Sequence, residues 1–246
     1  MSVATVQHFS PALNRHVSYN VILPREGTGP YPVLLQLHGL TDDHNAWIHK
    51  SNLVEHASAY PMLIVMPDGG TSGYLNLVDT ERRLDVDDRI GVARYEDAIV
   101  RDLREHVLRI FNVRSGPWAI GGLSMGGFGA LRLGMKYPDR FASIWAHSSA
   151  PRIGWLMADR TPDPVDSQIL THAERLVGAA SRPEISFDCG TEDELIGENR
   201  ALHGHLNGLG IAHHYAEHPG GHTWAYWDLH VRTALAQHAR VLGVTS

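Results

Sequence analysis

At 246 residues the chain is long enough for one large domain with a substantial core, and its 43% hydrophobic and 20% charged content argues against a disordered or fibrous class. A formal net charge of -6, with 21 Lys and Arg against 27 Asp and Glu, leaves no basic face for nucleic acid. The opening MSVATVQHFSPALNRH has no basic segment followed by an apolar one, and no apolar run approaches a membrane span, so a cytoplasmic protein with no membrane partner is expected.

The single cysteine, Cys189, rules out an intrachain disulfide and fits a reducing compartment. The 17 histidines raise the question of a metal. None lies in H-E-x-x-H, and His203, His205, His213 and His214 lack carboxylates at ligand spacing, so no metal site is expected.

Along the chain, VSYNVILP, YPVLLQLHG, MLIVMPDG, WAIGGLS, FASIWAHSS, EISFDCGT and AHHYAEHPG read as strands. Several are almost continuously apolar, as strands buried on both faces must be. Between them YEDAIVRDLREHVLRIF sets Ile99, Leu103, Val107, Ile110 and Phe111 on one helical face, and the segments from Met125, Asn199 and Thr223 behave alike. Strands alternating with helices predict an α/β fold with a mostly parallel central sheet covered on both faces. The first strands, joined by the turn REGTGPYP, are expected to form an antiparallel edge. No repeat or linker divides the chain, so residues 1–246 read as a single domain. Pro151 to Pro183, rich in prolines and charges, reads as a small cap segment inserted over a site.

AIGGLSMGGFGALRL supplies the chemistry. Gly122-Leu123-Ser124-Met125-Gly126 matches G-x-S-x-G between an apolar strand and a helix, the context that gives this short pattern meaning. A strand that turns at once into a helix strains the residue at the turn and requires small neighbours. The helix behind it offers free N–H groups and a positive dipole end. The competing readings are a helix N-cap and a phosphate-binding loop. A Walker loop would need Gly-Lys-Ser or Gly-Lys-Thr, which is absent, and the glycine spacing does not fit a dinucleotide fingerprint.

In an α/β-hydrolase fold the acid and then the histidine follow the serine, each at the end of a later strand. FDCGTEDEL offers Asp193, with Asp188 inside the strand and Glu192 and Glu194 as flanking alternatives; HPGGHTWAYW offers His222, ahead of His213, His214 and His218 because it lies in the Gly-rich loop. The oxyanion hole needs the N–H after the nucleophile, that of Met125, and one from an early strand-end loop, where LQLHGLTDD points to Leu40. His38 reads as a structural imidazole under that loop or, alternatively, a second base. Cys189, in an apolar strand, reads as an inert buried thiol. Trp47 reads as a substrate-pocket residue near the oxyanion loop, whereas Trp224 and Trp227, at helical spacing, read as core.

LHGLTDDHNAW, MPDGG, GLSMGGFGAL, CGTEDEL and GGHTWAYW resemble the esterase D type of α/β-hydrolase, and most closely the bacterial tributyrin-esterase-like carboxylesterases, over nearly the whole chain. The resemblance implies a serine carboxylesterase for small short-chain acyl esters, with Ser124, Asp193 and His222 as triad, Leu40 and Met125 as oxyanion donors, and no cofactor. S-formylglutathione hydrolases share the group. There an aspartate is expected just before the histidine and a tyrosine pair soon after it, where this chain has Gly221, then Trp224, Tyr226 and Trp227. An acyltransferase and a non-catalytic binding protein are further alternatives on the same fold. Surplus aromatic and apolar surface leaves room for a homo-oligomer.

Overall fold

The computed structural model of the chain describes residues 1–25, 27–78 and 92–244. Its main sheet holds β1 (Ser2–Ser10), β2 (Arg15–Leu23), β3 (Val33–Leu37), β4 (Leu63–Pro67), β7 (Trp118–Leu123), β8 (Phe141–His147), β9 (Glu184–Gly190) and β10 (His214–His218). β5 (Asn76–Val78) and β6 (Val92–Arg94) pair separately. The order across the main sheet is β1-β2-β4-β3-β7-β8-β9-β10. From β4 to β10 every neighbouring pair is parallel, while β1 with β2 and β2 with β4 are antiparallel.

An antiparallel edge is present, but its strands differ from those expected. β2 and β3 do not pair, because β4 lies between them and bonds to both. The outermost strand is β1, which the sequence reading passed over: much of it is exposed, so it lacks the apolar run that marked the others. The Asp102 carboxylate anchors its far end, accepting from Ser10 Oγ at 2.7 Å and the Ala12 N–H at 2.8 Å. Glu26, in the expected REGTGPYP turn, lies outside the described residues.

Helices α1 (Ala46–His49), α2 (Leu53–His56) and α9 (Trp224–Val241) cover one face. The other is covered by α3 (Tyr95–Asp97) running into α4 (Arg104–Ile110), and by α5 (Met125–Lys136), α7 (Ile169–Leu176) and α8 (Ile196–Gly208), with the short α6 (Ile153–Leu156) beside them. Side-chain alternation splits the core accordingly. Leu34, Ile64 and Ala119 face α9, and their neighbours Leu35, Val65 and Ile120 face α5. Such strands read as continuous apolar runs because both faces are buried.

Between α3 and α4, Ala98–Leu103 forms a π-helical turn. The wider turn rotates the helix phase. Ile99, Leu103 and Val107 remain buried as the spacing predicts, but Ile110 is 45% exposed and Asp102 turns inward.

The segment from Pro151 to Pro183 holds α6 and α7 and is tied to the flank of α5. Arg132, 2% exposed, pairs with Glu96 at 2.6 Å and with Asp166 at 2.8 Å, and Lys136 binds the same carboxylates. Burial opposes ionisation of Glu96, but Arg132, Lys136 and the Tyr137 hydroxyl outweigh it and hold its carboxyl below the usual range.

Two histidines in the interior stay neutral. Burial pushes His238 down to about 3 and His172 down to about 4. Each binds its proton more weakly folded than unfolded, so its contribution is complete above about pH 6.5 and is lost as the pH falls toward the folded value. Each histidine is expected to cost roughly 2 kcal/mol of stability between pH 7 and pH 5. Urea titrations at both pH values test this. His238→Gln, which keeps a partner for Ser143 Oγ (2.8 Å from His238 Nδ1), should show a smaller loss than the parent chain.

Candidate active site

Ser124 stands between β7 and α5 with φ 53° and ψ -116°, a backbone that L-residues rarely adopt. Its N–H bonds to the His147 carbonyl at 2.9 Å, and its carbonyl accepts from Phe128 at 2.9 Å and Ala150 at 3.3 Å. The sharp turn brings α5 against the end of β3: a Cβ on Gly126 would lie 2.6 Å from the carbonyl oxygens of both Leu37 and His38. Only a glycine fits there.

The geometry brings together the three residues expected to react. Ser124 Oγ lies 3.0 Å from His222 Nε2, and His222 Nδ1 lies 2.9 Å and 3.1 Å from the two oxygens of Asp193. With Nδ1 donating to the carboxylate, Nε2 is left as an acceptor for the serine hydroxyl. The two supporting loops are fastened to each other, Thr191 N–H to His218 O at 2.8 Å and Glu192 N–H to Gly220 O at 2.9 Å. Gly190 permits the approach, since a Cβ there would sit 2.2 Å from the Gly220 oxygen.

Asp193 is 2% exposed. Burial works against its charge, but hydrogen bonds from His222, the Leu195 N–H and Ser148 prevail and hold the carboxyl below the usual range. Of the alternatives, Glu192 and Glu194 are exposed. Asp188 is buried and committed elsewhere, accepting from Trp145 Nε1 at 2.6 Å, His147 Nδ1 at 2.8 Å and Tyr226 Oη at 2.9 Å. Burial, with Asp193 and Asp188 nearby, pushes the Cys189 thiol far above its ordinary value, so it is no rival nucleophile.

Two backbone N–H groups near the serine are the expected oxyanion donors. Met125 opens α5, where an N–H has no partner within the helix. Leu40 follows β3, and among the described residues its N–H has no acceptor. His38 orients that peptide. Its Nε2 accepts from the Gly69 N–H at 2.8 Å, so the proton sits on Nδ1, which donates to Gly39 O at 2.8 Å. In a trans peptide the carbonyl and the following N–H point opposite ways. Fixing Gly39 O toward His38 therefore turns the Leu40 N–H away from it. Both ring nitrogens are engaged, which supports the structural reading of His38 over the second base.

Ser124 and His222 open into a cleft of about 220 Å³ lined by Leu40, Thr41, Asp42, Lys50, Thr223, Trp224 and Trp227. No residue of the 151–183 segment is among the cleft's lining residues. Trp47 is not a lining residue either: it is 1% exposed, its Nε1 donates to Leu37 O at 2.9 Å, and it stands behind Trp224. Trp47 is therefore a core residue and Trp224 a lining one, the reverse of what was expected of those two, while Trp227 is in the core as expected. Trp227, though buried, reaches the cleft, sets its ring edge-on to His222 at 4.9 Å, and donates from Nε1 to Ser148 Oγ at 3.1 Å. The sequence reading also missed Ser148. Its place directly after β8, level with the strand ends that carry the other groups, was the available signal.

Gly126→Ala is expected to cost about 1–3 kcal/mol of stability and at least tenfold in turnover of an activated ester. Denaturant titration and steady-state kinetics on one preparation check both.

Among the described residues no helix is long and apolar enough to cross a membrane. Comparison with known proteins shows the family and the fold. An acetyl esterase of Caldicellulosiruptor saccharolyticus is 26% identical over 275 residues, covering 98% of this chain and 99% of the relative. Esterase Rv1288 of Mycobacterium tuberculosis is 27% identical over 87% of this chain, which spans only 54% of that relative's length. A solved S-formylglutathione hydrolase from Agrobacterium tumefaciens superimposes with a TM-score of 0.85 at 21% identity, over 98% of this chain and 95% of that one, so the chain has the α/β-hydrolase fold. The family described as "Putative esterase" matches residues 10–238, nearly the whole length, and the chain belongs to that esterase family.

Proposed function

We propose that this protein is a serine carboxylesterase that hydrolyses small, short-chain acyl esters without a cofactor. The observation that carries the reading is the hydrogen-bonded series from Ser124 Oγ through His222 to Asp193, at 3.0 Å and 2.9 Å. His222 Nε2 takes the hydroxyl proton as Ser124 attacks the ester carbonyl. Asp193, held ionised, orients the ring and stabilises the imidazolium. The N–H groups of Leu40 and Met125 receive the oxyanion. The imidazolium then returns its proton to the leaving alcohol, and water attacks the acyl-enzyme with His222 again as base. Every group these steps require belongs to this chain.

The short acyl group is supported by the acetyl esterase among the relatives. The buried free thiol of Cys189 suits a cytoplasmic setting.

Ser124→Ala should fold normally and lose several orders of magnitude in kcat/KM; near-normal rates would move the nucleophile elsewhere. Asp193→Asn should lower turnover roughly 10³–10⁴-fold, whereas Glu192→Gln and Glu194→Gln should change it less than about threefold. Substrate class is decided by kcat/KM for acetyl, butyryl and octanoyl p-nitrophenyl esters against S-formylglutathione. Preference for the short esters, with a sharp fall at octanoyl, upholds the proposal. Preference for S-formylglutathione by orders of magnitude makes the protein a thioesterase.

A further inference from the structure

We propose that Trp224 sets the size of the alcohol that the ester can carry. The inference rests on the esterase reading above and assigns a specificity to one wall of the same cleft. In that reaction the nitrogen that takes the Ser124 proton must return it to the leaving oxygen, so this oxygen has to lie within hydrogen-bond reach of His222 Nε2. The oxyanion is drawn toward the N–H groups of Leu40 and Met125. The alcohol therefore leaves the serine on the His222 side, where Thr223 and Trp224 follow His222 in the chain and Trp227 packs against its ring, all three lining the cleft.

Trp224 is half-buried and braced on three sides. It meets Trp47 edge-to-face at 5.2 Å and 83°, and Trp227 edge-to-face at 5.4 Å and 85°. The Lys50 ammonium stands 5.6 Å from its ring centre and is paired with Asp42 of the oxyanion loop. Perpendicular ring contacts and a cation over a ring face are each favourable beyond the area they bury. These contacts oppose the ring's swinging aside for a larger group. Trp227 is buried against His222 and Ser148, so the half-buried Trp224 presents the more accessible ring to the alcohol.

The test varies one half of the ester at a time. Ethyl and benzyl acetate differ in the alcohol while keeping leaving groups of similar basicity; ethyl acetate and ethyl hexanoate differ in the acyl group. Trp224→Ala is expected to raise the benzyl-to-ethyl ratio of kcat/KM at least tenfold and to leave the hexanoate-to-acetate ratio within about twofold. Ratios within one preparation do not depend on the fraction folded. Trp224→Phe, which keeps a ring against Trp47, should shift the alcohol ratio in the same direction by a smaller factor, and serves if the alanine variant fails to fold. An unchanged alcohol ratio, or a shift confined to the acyl series, overturns the assignment while the esterase reading stands. Absence of Ser124-dependent hydrolysis of every ester in the unsubstituted protein overturns both.

Discussion

Holding a serine at φ 53° and ψ -116° costs on the order of 1–3 kcal/mol, and much of the surrounding sequence offsets that cost. The strain persists because neighbours over-determine it. The Ser124 N–H is fixed by the end of β8, its carbonyl is shared by α5 and the chain after β8, and Gly126 lets α5 lie directly on the β3 carbonyls. Relaxing the turn would break these bonds and separate two buried layers. The conformation is useful because it lifts the serine side chain off the sheet while leaving the first N–H of α5 free beside it.

The other two groups depend on a different constraint, the fastening of the loops after β9 and β10. Their backbone bonds bring Asp193 and His222 into register before any substrate arrives, so little reorganisation remains for the reaction. Two aspartates, five residues apart, show how surroundings divide the work. Asp188 faces donors from β8 and α9 and braces the sheet beneath the site. Asp193 faces His222 and is left with a partner whose proton can move. Burial alone does not separate them, since both are almost inaccessible; the partners do.

Legibility from the sequence followed the range of the interactions. The parallel strands were legible because burial on both faces forces apolar runs, and Ser124 because its turn demands glycine at fixed positions. His222 and Asp193 were legible through order along the chain, an indirect signal that left Asp188, Glu192 and Glu194 open until burial and partners separated them. β1 was missed because its exposed residues carry no apolar run. Ile110 was misplaced because a π turn shifts a helical face without marking the sequence. Trp47 and Trp224 exchanged roles because proximity along the chain to the oxyanion loop says nothing about which ring stands in front. That was settled by the bond from Trp47 Nε1 to the Leu37 carbonyl, a contact ten residues long that no periodicity encodes.

The parallel part of the sheet explains why these distant residues meet. Parallel strands all end on the same edge, so each can contribute one group to one place. β3 delivers Leu40, β7 delivers Ser124 and Met125, β8 delivers Ser148, β9 delivers Asp193 and β10 delivers His222. β4 contributes indirectly, through the Gly69 N–H that fixes the His38 ring. The antiparallel strands β1 and β2 supply none of these groups, and β1 is held instead by Asp102 from the π turn. An antiparallel strand inserted between β3 and β7 would point its end to the opposite edge and widen the gap between Leu40 and Met125, the proposed oxyanion donors, by a strand spacing, about 4.8 Å. The adjacency of β3 and β7 is therefore as much a condition of the chemistry as the serine itself.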